Sequence, residues 1–217
     1  MNLDTDILNY ADNRINYRRF SNKVPNKNLI EKIINESFMI SPMQNLKPEF
    51  NIDIFDSKYE KEKENFVLFT VCESDWGKKV LEAKTDKDLE VIEKYRKKNW
   101  NAQIYAGDYG VNHLGFNHQV KAPYLLRFTS KNEKGCINAG IYSFAISLVS
   151  CKYKIDASFC KCFKINKNFP NPITTTQDNI LFYLGLGIYD ETLTDEFFKY
   201  KHNRKVNFDF NNFIQWR

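Results

Sequence analysis

The sequence predicts an α+β domain, and three observations carry that expectation. An extended segment at Arg14–Ser21 leads into a capped helix that stops before Ser41-Pro42. Stretches near 50–55, 66–72, 119–128 and 180–188 alternate or run apolar in the manner of strands. Between the last two, Asn138–Ser150 (NAGIYSFAISLVS) is apolar on nearly every side, as a helix is when it is buried all round.

The 217 residues allow one large domain or two small ones. Without an internal repeat or a linker, one domain over 1–217 is expected. Apolar residues make up 42% and aromatics 15%, enough for a real core. The net charge of +5 comes without a long basic tail, so it does not force a nucleic-acid partner. Cys72, Cys136, Cys151, Cys160 and Cys162 are odd in number and irregularly spaced, which reads as reduced thiols in a cytoplasmic protein. Cys160-Lys-Cys162 lacks the second pair a zinc site needs, so no metal is expected. MNLDTDILNY lacks the basic-then-apolar pattern of a signal peptide, and no apolar run is long enough to span a bilayer.

Taken in order, Leu3, Ile7, Tyr10 and Ala11 fall at helical spacing behind Asp4. In the extended segment that follows, Arg14, Asn16 and Arg18 share a face, with Ile15 and Tyr17 on the other. Two forked cations and an amide on one side suit a phosphate. Asn26, beside Pro25, is a helix cap, and Ile30, Ile33, Ile34, Ser37 and Phe38 follow at near-helical spacing. The helix must end before Pro42. A turn over Pro42–Pro48 then enters a strand at Phe50–Phe55. Lys58–Asn65 is of mixed charge and reads as a solvated stretch, and Phe66–Cys72 as a buried strand. Trp76–Lys84 and Thr85–Lys98 read as amphipathic helices, the second opened by a Thr85/Asp88 capping box. Asn99–Asn117, with its glycines and aromatics, reads either as an excursion beside a binding site or as a surface loop with packing aromatics. A strand over Gln119–Phe128, the apolar helix, alternation over Ala157–Ile165 and a strand over Ile180–Ile188 complete the elements. In the tail, Lys201-His-Asn-Arg-Lys205 is basic, and Val206, Phe208 and Phe210 alternate with polar residues as an edge strand does.

The ordered set R-x-N-x-R-x-F-S at 14–21, a proline-led helix, and S-P-x-x-N-x-x-P at 41–48 before a strand resembles the FMN-dependent nitroreductase family. The resemblance covers most of Asn2–Arg204 and is weakest between Lys58 and Gly115. It implies a central mixed or antiparallel sheet flanked by helices, in a homodimer with an exchanged C-terminal strand and a partner-facing central helix. Taken alone, the residues of that helix also fit a monomer's core. The resemblance further implies that Arg14, Asn16 and Arg18 hold the FMN phosphate, completed by Arg204 and Lys205. Pro42, Met43 and Asn45 would wrap the flavin ring, with Asn117 and Gln119 touching it. Asn16 stands where serine is usual, Lys47 where glutamine is usual and Glu49 where tryptophan is usual. Ser41-Pro42 reverses the common order.

The activity so implied is ping-pong transfer of two electrons from NAD(P)H to a flat small-molecule acceptor such as a nitroaromatic or quinone. FMN would carry the chemistry, so no catalytic side chain is expected. His113, His118 and His202 show no metal spacing. Two rivals stand beside this reading. One is a flavin or ligand binder without turnover, kept alive by Lys47 and Glu49. The other is a nucleic-acid module, which the 12 Tyr and 18 Phe could serve. Those aromatics fall mostly on apolar strands and helices, where a core would have them.

Overall fold

A computed structural model describes residues 20–42, 47–67, 82–91, 94, 121–160 and 179–189. Helix α1 (Lys27–Ile40) starts where Asn26 takes an extended backbone and its side chain accepts from the Asn28 N–H. It stops at Ser41, whose hydroxyl donates to the Ser37 carbonyl at 2.6 Å and so satisfies one open acceptor of the last turn. Both ends lie where the cap and the proline put them.

Strand β1 (Asn51–Phe55) is followed by a 3-10 turn at Ser57–Tyr59 and helix α2 (Glu60–Val67). The mixed-charge stretch is therefore helical rather than merely solvated. Asp56 caps the turn by accepting from the Lys58 N–H, and Glu60 and Glu62 sit in the first turn of α2, where the helix dipole favours them. Phe66 and Val67 belong to the end of this helix instead of opening a strand, while 68–72 lie outside the described residues. Further on, the Thr85 hydroxyl accepts from the Asp88 N–H and the Asp88 carboxylate accepts from the Thr85 N–H, at 3.2 and 3.0 Å. The expected capping box is thus formed, at the head of helical residues 86–91.

Strand β2 (Tyr124–Ser130) begins beyond Pro123 rather than at Gln119, and proline has no N–H to give a ladder. Helix α3 (Glu133–Lys152) starts earlier than the apolar run suggested, because the Asn132 side chain accepts from the Gly135 N–H at 2.7 Å. Strands β3 (Asp156–Cys160) and β4 (Asn179–Gly187) close the described set. The four strands form one antiparallel sheet in the order β1-β2-β4-β3, with β2 and β4 central.

Helices α1 and α3 cover one face of this sheet. Ile30, Ile33, Tyr142, Ile146 and Val149 pack on Tyr124, Leu126, Phe128, Leu184 and Leu186. The layers are also tied by polar groups. The Tyr142 hydroxyl donates to the Ile34 carbonyl at 2.7 Å, and burial pushes its pKa up to about 12. Tyr153 and Lys152 both donate to Glu36. On the other face, Asp53 and Arg127 are cross-strand partners, and both the Nε and Nη2 of Arg127 reach Asp53 Oδ2, at 3.0 and 2.8 Å.

Helix α3 is not buried all round. Ile137 and Phe144 stand 58% and 49% exposed, and with Ile141 and Leu148 they recur every three or four residues, forming one apolar stripe. Gly140 lies within it, with open space where a Cβ would stand. At the end of α1, Met39 and Ile40 are also exposed.

Candidate functional site

From Lys47 onward the described chain has its carbonyls held by side chains. The Nδ2 of Asn138, on the first half of α3, donates to the carbonyls of Lys47 and Pro48 at 3.1 and 3.2 Å. The next carbonyl, of Glu49, accepts from Ser130 Oγ at 3.0 Å. Three successive carbonyls are thus taken by two side chains at the junction of β2 and α3. Glu49 takes a left-handed backbone, φ 52°, a conformation a side chain disfavours. Its carboxylate reaches Lys134 at 2.9 Å and Asn132 at 3.3 Å, and the bond from Lys134 holds it below the usual glutamate range. Gly135 makes the approach possible, since a Cβ there would collide with the Glu49 carbonyl and the Ser130 hydroxyl.

Pro42, the last described residue before 43–46, faces the same helix. With Glu133, Lys134, Ile137, Asn138 and Ile141 it lines a cavity of about 360 Å³. Three of these residues are apolar and three bring a carboxylate, an ammonium and an amide, so the surface is mixed. Lys134 and Asn138 escaped the sequence reading because they look like ordinary helix residues. A polar amide at the head of an otherwise apolar run was the signal available for Asn138.

A second junction joins the two ends of the described chain. Phe20 forms an isolated antiparallel bridge with Tyr189, and the Ser21 N–H donates to the Ile188 carbonyl at 2.7 Å. The Tyr189 N–H donates to Asp156 Oδ2 at 2.8 Å. Burial pushes the Asp156 carboxyl up to about 6, partly offset by that bond. At Gly187 a Cβ would lie 2.6 Å from Pro123 and 2.8 Å from Phe20, so four chain segments meet here with no room for a side chain. Lys63 fixes one of them. Its buried ammonium donates to the carbonyls of Ala122 and Pro123 at 3.0 and 3.1 Å, and burial lowers its pKa to about 8.

Of the expected site residues, only Pro42 lies among the described residues; Arg14, Asn16, Arg18, Met43, Asn45, Asn117, Gln119, Arg204 and Lys205 lie outside them. The Lys47 side chain is exposed, and that residue enters the junction through its carbonyl.

No known family profile matches the chain, and no curated protein sequence matches it. Solved structures do. A nitroreductase-like family protein from Bacillus cereus superimposes with a TM-score of 0.61 at 13% identity, over 97% of this chain and 95% of that one. This chain has the nitroreductase fold. The FMN-dependent nitroreductase NfnB from Mycobacterium smegmatis, solved in complex with NADPH, shares that fold at a TM-score of 0.60 and 10% identity, over 100% of both chains. A nitroreductase with bound FMN from Desulfitobacterium hafniense gives 0.55 and 11%, over 98% of each. The expected α+β class and sheet are therefore those of the nitroreductase fold. Among the described residues no helix is long and apolar enough to cross a membrane.

Proposed function

We propose that this chain is an FMN-dependent NAD(P)H oxidoreductase, a single domain over 1–217 working in the cytoplasm as a homodimer. The observation that carries the reading is a coincidence. A chain with the nitroreductase fold over nearly its whole length also bears R-x-N-x-R at 14–18 and S-P-x-x-N-x-x-P at 41–48, in that order. The junction between Phe20 and Tyr189 supports it, because it ties the stretch just after Arg18 to the strand end that leads toward Arg204.

The donor set fits the cofactor. Guanidiniums of Arg14, Arg18 and Arg204, with Lys205 and the Asn16 amide, match phosphate oxygens in charge and fork geometry. Pro42, Met43, Asn45, Asn117 and Gln119 combine apolar surface with amides, as a flat ring with polar edges requires. When bound, FMN supplies the two-electron chemistry. The protein's part is to hold the phosphate, orient the ring and leave one face open. A nicotinamide and a flat acceptor would use that open place in turn, which makes the kinetics ping-pong. Trp100, Tyr105 and Tyr109 offer aromatic faces for a quinone or nitroaromatic.

Anaerobic stopped flow tests this reading. With FMN bound, NADH or NADPH should bleach the flavin absorbance, and a quinone or nitroaromatic should restore it. Bound flavin that neither nicotinamide bleaches would make the protein a binder without turnover. Absence of flavin uptake would end the reading altogether.

A further inference from the structure

We propose that the cavity at the head of α3 binds a small organic cation, an ammonium carried on an apolar body. Binding there needs no flavin, because the described residues that line the cavity carry the recognition. Pro42, Ile137 and Ile141 supply its apolar wall. Ile137 is 58% exposed, so the apolar part of a ligand would remove that surface from water. The volume of about 360 Å³ lies at the low end of the roughly 300–1,000 Å³ usual for small-molecule sites, which suits a ligand built on one ring.

The polar groups decide the charge of that ligand. Lys134 Nζ stands 2.9 Å from Glu49 Oε1, so its charge is already met. Asn138 Nδ2 already donates to the carbonyls of Lys47 and Pro48. Glu133 is different: among the described residues its carboxylate has no hydrogen-bond or ion-pair partner. It stands in the first turn of α3, where the helix N-terminus favours its charge. Among the described residues, the cavity therefore keeps one unmatched negative charge beside apolar surface. An anion would have to draw Lys134 from Glu49 and lie close to Glu133. A bare divalent ion such as calcium takes about six to eight oxygens, and one carboxylate does not supply them. An ammonium on an apolar body meets both walls: it donates to Glu133 and covers Ile137 and Ile141.

The test titrates the full chain, without flavin, with three probes that share one ring. At neutral pH benzylamine is cationic, benzyl alcohol neutral and benzoate anionic. The δ-methyl NMR signals of Ile137 and Ile141 report occupancy at this place. Benzylamine should bind most tightly and benzoate about tenfold more weakly. Glu133→Gln removes the charge without breaking a bond to any described residue. It should weaken benzylamine about two- to fivefold and leave benzyl alcohol unchanged. Lys134→Gln removes the opposing charge and should tighten benzylamine by a similar factor. The proposal is overturned if benzoate binds as tightly as benzylamine, or if Glu133→Gln binds benzylamine as wild type does. It is also overturned if benzylamine at roughly 10 mM moves neither methyl signal. If Glu133→Gln does not fold, Lys134→Gln decides, and benzylamine binding that fails to tighten overturns the proposal. Occupancy is read without flavin or turnover, so its outcome is separate from that of the oxidoreductase reading.

Discussion

Arg18 and Arg19 are neighbours in sequence, yet in an extended segment their side chains project to opposite faces. With 14–19 extended, as the sequence pattern predicts, only Arg18 would share a face with Arg14 and Asn16. A charge-assisted bond from guanidinium to phosphate contributes roughly 1.5–3 kcal/mol. Arg18→Ala should therefore weaken FMN binding about tenfold or more, and Arg19→Ala far less, as measured by flavin fluorescence titration. Equal losses would place the phosphate elsewhere. At this scale the sequence is readable where chemistry is local. Asn26, Thr85 and Asp88 cap as their positions predict, because a cap is decided by the next three residues. Glu49 and Lys63 were not readable. A left-handed glutamate and an inward lysine are disfavoured on average, and each is held by partners far along the chain, at Ser130 and Lys134 and at Ala122 and Pro123.

Between elements, the junction of β3 and β4 with Phe20 yields a pH dependence. Asp156 stands at the head of β3, and its carboxylate accepts the Tyr189 N–H while partly removed from water. Its pKa rises from 3.8 to about 6 on folding, so between those values the folded chain binds more protons than the unfolded one. The stabilising contribution of the protonated group is complete below about 4 and is lost as pH rises through about 6. Asp156→Asn keeps an acceptor for Tyr189 without the charge. It should raise stability at pH 7.5 by about 1–2 kcal/mol, after discounting for the water that still reaches the carboxylate, and change little near pH 4. Thermal melts at the two pH values check this, and a loss at pH 7.5 would mean that the charge itself holds the junction. The strands at 51–55, 124–130 and 179–187 were legible, though Phe66 and Val67, read as opening a strand, end a helix; this junction was not, since it joins residues 20, 123, 156 and 187–189 through contacts that leave no pattern in sequence. Some boundaries were misread for local reasons instead. Strand β2 waits for Pro123, and α3 starts at Glu133 behind its Asn132 cap, ahead of the apolar run.

At the scale of the molecule, the nitroreductase fold leaves an apolar stripe on α3 that the described residues of one chain do not cover. Ile137, Ile141, Phe144 and Leu148 repeat on one side of the helix, and Gly140 among them would let a second helix come close. The exposed Met39 and Ile40 at the end of α1 add further apolar surface. The sequence reading took the whole Asn138–Ser150 run as buried and, by resemblance, as facing a partner; the exposure of this one stripe is what a partner-facing helix would present in a single chain. If a second copy covers it, the pairing is isologous, with each α3 contributing the same face. A stable pairing needs roughly 1,200 Å² or more of buried surface, beyond what one stripe supplies. The alternating tail Val206, Phe208 and Phe210 is the segment expected to add the rest by crossing to the partner. Phe144→Glu puts a charge at the centre of the stripe, where two copies would place like charges together. Light scattering at low micromolar concentration should then find a dimer for the wild type and a monomer for Phe144→Glu, with intermediate behaviour after deletion of 206–217. Because Phe144 is half exposed in the single chain, the substitution should leave the fold of each monomer intact by far-ultraviolet dichroism. A wild type that remains monomeric while loaded with flavin would refute the dimer, and would leave the stripe on α3 to be covered by residues of the same chain.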